Sequence, residues 1–135
     1  HMGVDTYSFV AALSGILAQR LVRVVCEQCA ESYTPSRRLL EDSRLSVAAH
    51  AGFEFRVGRG CKHCRGTGYK GRKAVGELLV LNDEIREAII ARAPVRQLKE
   101  LATRGGVRLI RESAMELVRN GQTTLEEVNR VTTLA

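Results

Sequence analysis

Residues 60–72 read GCKHCRGTGYKGR, and an earlier pair, Cys26 and Cys29, stands upstream of them. Each pair encloses two residues, Cys26-Glu27-Gln28-Cys29 and Cys61-Lys62-His63-Cys64, and residues 30–60 lie between the pairs. Two intervening residues let the chain turn tightly enough for both sulfurs to face one ion, with Gly60 and Gly66 easing the bends around the second pair. Four thiolates suit a tetrahedral Zn²⁺ held by Cys26, Cys29, Cys61 and Cys64. With every ligand supplied by protein, no position is left for water or substrate, so the expected role of the metal is structural.

Disulfides and free core thiols are the competing readings. No stretch resembles a secretory signal peptide, and thiols in the cytoplasm stay reduced, so zinc is the expectation and the cytoplasm the expected location. His63 sits between two ligands and His50 lies in the intervening segment. With four thiolates present, both are expected as surface histidines.

The 135 residues are 44% hydrophobic and only 4% aromatic, with no Trp, which points to an aliphatic core of Leu, Ile, Val and Ala. No apolar run reaches the roughly 18 residues of a membrane span. The formal charge of +6 falls to about +4 once four thiolates and a divalent ion are counted. The arginines are scattered, with Arg37-Arg38 adjacent, and no aromatic interleaving supplies a stacking platform, so no nucleic-acid partner is expected.

Along the chain, Asp5 or Thr6 caps a helix in which Phe9, Ala12, Leu13, Ile16 and Leu17 recur on one face, extending to Gln19. Leu21 to Val25 is short and β-branched, a strand that delivers Cys26 to the metal. After Tyr33-Thr34-Pro35, Ser36 caps a helix carrying Leu39, Leu40, Leu45 and Val47. Phe53, Phe55 and Val57 alternate with charged residues and predict a strand into the second pair. A segment this small needs metal binding for its stability, on the order of 10 kcal/mol in small zinc modules.

Gly66-Thr67-Gly68-Tyr69-Lys70-Gly71 satisfies GxGxxG, but it follows a cysteine knuckle rather than a strand and precedes a predicted strand, Lys73 to Leu81, rather than a helix. It is no phosphate loop either, since Arg72-Lys73-Ala74 stands where Lys and Ser/Thr are required. From Asn82 the pattern is helical. Asn82 or Asp83 starts one helix, Pro94 a second, Gly105-Gly106 stops it, and a third runs from Leu109 to a left-handed cap at Asn120-Gly121. Thr124-Leu125-Glu126-Glu127 reads as a capping box opening the fourth.

In this order the features resemble the secretion ATPases of type II secretion and type IV pilus assembly: AQRLVR before the first pair, GCKHCRGTGYKGR, the GELLVL strand and TTLEEVNRVT near the end. The resemblance implies an α+β, mostly helical chain: 1–25 the tail of a RecA-like ATPase domain, 26–64 the tetracysteine zinc module, 65–81 a Gly-rich loop and strand returning to the ATPase core, and 82–135 a C-terminal helical domain. It implies a hexameric parent that uses ATP and Mg²⁺, with neighbouring subunits and an inner-membrane platform protein as partners, peripheral to that membrane. The Walker motifs belong upstream, so the fragment is expected to be structural and docking rather than an ATPase itself. Retraction ATPases usually lack the four cysteines, which favours an assembly or secretion motor. The resemblance also implies that Arg72 lies near the nucleotide phosphates, the alternative being an ion pair with Glu77. Where the family often carries Ile-Tyr-Glu, this chain has Val75-Gly76-Glu77.

Two other classes fit parts of the sequence. Cys61-x-x-Cys64-x-Gly66-x-Gly68 matches one CxxCxGxG repeat of the DnaJ-type chaperone zinc domain, which needs four, and Cys26-x-x-Cys29-Ala30-Glu31 lacks the glycines. A zinc-ribbon nucleic-acid binder rests on charge and zinc alone.

Overall fold

A computed structural model describes residues 3–132; His1 and Met2 lie outside it. The described elements run α1 Thr6–Ala12, β1 Gly15–Val25, β2 Ala30–Ser32, α2 Arg37–Asp42, β3 Arg56–Gly58, β4 Tyr69–Val80, α3 Asp83–Ile90, α4 Val95–Arg104, α5 Ile110–Arg119 and α6 Leu125–Val131. The chain is a mixed α+β protein. Among the described residues no helix is long and apolar enough to cross a membrane.

Three of the helices start at a side-chain cap that the sequence marks. Asn82 Oδ1 accepts from the Ile85 N–H at 2.9 Å, Ser36 Oγ from Leu39 N–H at 3.1 Å and Thr124 Oγ1 from Glu127 N–H at 3.2 Å, each satisfying a donor the first turn leaves free. Gly121 takes φ +73° after α5. The first helix is shorter than its apolar periodicity predicts: α1 ends at Ala12, and Ile16 and Leu17 fall on β1. Pairing of β1 with β4 gives the backbone of 15–25 hydrogen-bonding partners that a continued helix would have had to forgo. The residue α1 buries is Val10, whereas Phe9 and Ile16 are exposed and Leu13 is half-buried. The strand expected from Phe53 is confined to β3, although Tyr33 N–H still donates to Phe55 O at 3.2 Å just beyond it.

Two compact units share the chain. One combines residues up to Ala18 with Gly76–Leu109, so α1, α3 and α4 surround a core of Val10, Leu81, Ile85 and Leu101. The other combines Gln19–Val75 with the stretch from Ile110 onward. Its core is Val22, Val75, Ala114, Val118, Leu125 and Val128, against which Leu39, Leu40, Phe53 and Phe55 pack. The four helices after Asn82, which read as one lobe in the sequence, are thus divided between units: α5 and α6 use their apolar faces to cover the cysteine-bearing segment. That segment has too few apolar side chains to close a core alone.

Candidate metal centre

Two hairpin-like knuckles carry the cysteines. β2 and β3 pair antiparallel, Ala30 opposite Gly58 and Ser32 opposite Arg56, and Arg59 N–H donates to Cys29 O at 3.1 Å. This ladder brings the end of the first knuckle beside the start of the second. In the second, Gly66 N–H donates to Cys61 O at 2.8 Å and Thr67 N–H to Cys64 O at 3.2 Å, with Arg65 at φ +56° and Gly66 at +76°. Cys26 N–H reaches Gly68 O at 2.9 Å and ties the knuckles together.

Here the glycines are steric requirements. A Cβ on Gly58 would stand 2.0 Å from Gly68 O, and one on Gly68 2.5 Å from Gly58 O. The two backbones pass in contact, which only residues without side chains allow.

The outcome is a cluster whose four Sγ atoms all lie within 4.8 Å of one another. Cys26 and Cys61 sulfurs are 3.8 Å apart, Cys29 and Cys64 3.8 Å, and Cys61 and Cys64 3.7 Å. A tetrahedron with metal–sulfur bonds of about 2.3 Å has edges of about 3.8 Å, whereas a disulfide would bring two sulfurs to about 2.05 Å. The four are free thiols, and these three separations match the edges of a metal-centred tetrahedron with sulfur at its corners, so the donor set fits a tetrahedral ion.

Backbone donors surround part of this cluster. Gly60 N–H points at Cys29 Sγ at 3.3 Å, and the N–H groups of Cys61 and Gly68 at Cys64 Sγ, both at 3.2 Å. Burial pushes the Cys29 thiol up to about 12. Burial pushes Cys64 the same way, but its two N–H donors, together with hydrogen bonds from the Cys61 and Cys29 thiols, outweigh that and draw it down to about 6. A cation would take the place of the proton that burial otherwise holds on the Cys29 sulfur.

The sequence-predicted site residues divide. Cys26, Cys29, Cys61 and Cys64 come together. Arg72 lies exposed on β4. His63 is exposed. His50 departs from the expected surface position: it is half-buried with its ring 5.8 Å from that of Phe55 and its Nε2 enclosed without a partner.

A second polar cluster escaped the sequence reading. Glu127, 1% exposed, accepts from Arg23 N–H at 2.6 Å, from Arg23 Nη2 at 3.1 Å and from Arg130 Nε at 2.8 Å. Arg23 also lies 4.2 Å above the Tyr69 ring, and Tyr69 shares a 2.7 Å hydrogen bond with Thr124. Thr124 therefore caps α6 as predicted, while both carboxylate oxygens of Glu127 are held by Arg23 and Arg130. Since Val25 N–H donates to Gln122 O at 2.8 Å, the segment leading into α6 is fastened to the end of β1, next to Cys26. Nothing local in TTLEEV signals a partner a hundred residues upstream.

A mixed α+β chain with a four-sulfur metal-sized cluster framed by two knuckles defines the class of protein. Residues 1–130 match the model of the type II/IV secretion system protein family, and the chain belongs to that family. It is 47% identical over 127 residues to the type IV pilus assembly ATPase PilB of Thermus thermophilus, covering 94% of this chain and 14% of that protein. It is 38% identical to the type II secretion system protein E of Xanthomonas campestris, covering 97% and 23%, and 38% identical to the type II secretion system ATPase E of Vibrio cholerae, covering 97% and 25%. The chain thus spans a quarter or less of these relatives.

Proposed function

We propose that this chain is the C-terminal, zinc-binding and helical part of a hexameric cytoplasmic motor ATPase that powers type II secretion or type IV pilus assembly. One observation carries the reading: a four-sulfur tetrahedron built on two backbone knuckles, in a chain whose curated relatives bear the names of pilus-assembly and type II secretion ATPases. Zn²⁺, held by Cys26, Cys29, Cys61 and Cys64, supplies cross-linking and no chemistry on a substrate, because all four positions are filled by sulfur. The residues around it hold the ends of β1, β2, β3 and β4 in register. In the parent, 1–25 and 65–81 continue a RecA-like core, ATP and Mg²⁺ bind upstream segments, and the helices face neighbouring subunits and an inner-membrane platform protein. The fragment alone does not hydrolyse ATP.

In this reading Arg72 faces nucleotide phosphate. What supports it is chemical: a guanidinium that is exposed and stands on a strand whose start is fixed by Cys64 can meet a phosphate bidentately. In the full-length protein, Arg72→Ala should lower ATP hydrolysis while zinc content and fold stay intact, and Arg72→Lys should restore only part of it. Wild-type turnover in a folded Arg72→Ala hexamer refutes the role. A full-length gene product without a Walker A motif upstream of these residues refutes the motor.

A further inference from the structure

The four sulfurs are not equivalent. Cys26 and Cys64 are buried, Cys29 and Cys61 half-buried. Cys64 accepts two backbone N–H groups and Cys29 one, whereas among the described residues no N–H points at Cys61 or Cys26. An N–H aimed at a thiolate draws charge from its lone pairs and lowers its reactivity toward electrophiles, and access selects among the rest. Cys61 alone combines a half-buried position with a sulfur that accepts no backbone N–H among the described residues. Lys62 and His63, the next two residues of the knuckle, are exposed.

We propose that Cys61 is the peroxide-reactive thiolate of this centre, and that its oxidation releases the metal; the inference rests on the four-thiolate zinc reading above. In the first step the Cys61 thiolate attacks a hydroperoxide: an S–O bond forms, the O–O bond breaks, and the departing hydroxide takes a proton to leave as water, giving a sulfenic acid. In the second, a neighbouring thiolate attacks that sulfur and displaces its oxygen as a second water, so two thiolates lose two electrons to one peroxide. Cys26, 3.8 Å away and free of N–H donors, is the resolving thiolate. The product is a disulfide joining the two knuckles, with two ligands lost and the metal free to leave. Each knuckle then keeps one thiol, too few for a tight site.

The test uses the 135-residue chain loaded with zinc, its stoichiometry measured first. A stoichiometry near zero overturns the zinc reading and this inference together. With a filled site, substoichiometric hydrogen peroxide in the presence of dimedone should place the sulfenic adduct on Cys61 in about tenfold excess over Cys29, and zinc captured by a chromogenic chelator should appear in step with it. Without dimedone, peptide mapping should find Cys26 joined to Cys61. Equal labelling, or Cys29 labelled first, overturns the Cys61 assignment while leaving the zinc reading in place, and a Cys61–Cys64 disulfide overturns the role of Cys26.

Discussion

At the scale of single residues, the metal centre depends as much on missing side chains as on its sulfurs. Gly58→Ala places a methyl 2.0 Å from a backbone oxygen, a clash that cannot be relieved by rotating a side chain, so the knuckles must separate. A loss of about 3 kcal/mol or more is expected. Gly71→Ala, with φ +83° but nothing within 4 Å of the added atom, should cost only about 1 kcal/mol. Urea midpoints of the zinc-loaded variants give the comparison, and equal losses would mean that close approach does not matter here. Glu127 is the other decisive residue. Burial pushes its carboxyl up, but Arg130 and Arg23 outweigh this and hold it down to about 2 against an ordinary 4.5. Because the folded value is the lower one, the clamp contributes fully above about pH 4.5 and is lost as pH falls from there toward 2. Glu127→Gln should cost about 2–3 kcal/mol at pH 7, at the low end for a buried pair because Arg23 and Arg130 are themselves 44% and 58% exposed. The gap between variant and wild type should narrow between pH 4.5 and pH 2, and a gap independent of pH would refute the charged clamp.

At the scale of elements, α6 is where local and long-range chemistry meet. Thr124 caps the helix and holds the Tyr69 hydroxyl at once. Thr124→Ala should therefore cost more than a solvent-exposed cap, about 1.5–2 kcal/mol, whereas Ser36→Ala at the exposed start of α2 should cost at most about 1 kcal/mol. Tyr69→Phe removes the same hydrogen bond from its other end. The double variant should fall short of the sum of the two single losses by about 0.5–1 kcal/mol, measured by thermal or urea unfolding. Strict additivity would mean that the 2.7 Å contact contributes nothing. The boundary between α1 and β1 teaches a related lesson. Phe9, Leu13, Ile16 and Leu17 have helical spacing, yet a strand partner claims the last two.

At the scale of the whole chain, the two units should respond differently to loss of the metal. Chelation of a zinc-loaded sample by EDTA should raise hydrogen exchange at 26–32 and 56–68, and also in α2, whose Leu39 and Leu40 pack on the same core as Phe53 and Phe55. α3 and α4, which share a core with α1 and none of the cysteines, should keep their protection. Equal deprotection throughout would show one cooperative domain and refute the division. α5 and α6 are the informative intermediates. They pack on Val22 and Val75, so they should loosen in part, and unchanged exchange there would count against a core shared with the knuckles.

By itself the sequence determined the features whose causes are local. Cysteine spacing located the metal-sized cluster. Ser36, Asn82, Thr124, Pro94 and Gly121 marked helix ends, because a cap bonds to its own first turn and a left-handed residue needs only its own backbone freedom. Only the tertiary structure decided what depends on distant partners. It ended α1 at Ala12 because β4 offered hydrogen bonds to 15–25, and it set α5 and α6 against the cysteine segment because that segment lacked apolar area of its own. It turned Glu127 from a capping-box residue into the partner of Arg23, and it brought Gly58 and Gly68 into backbone contact. Periodicity reports which face of an element is apolar; which surface that face covers is settled by the free energy of the whole chain.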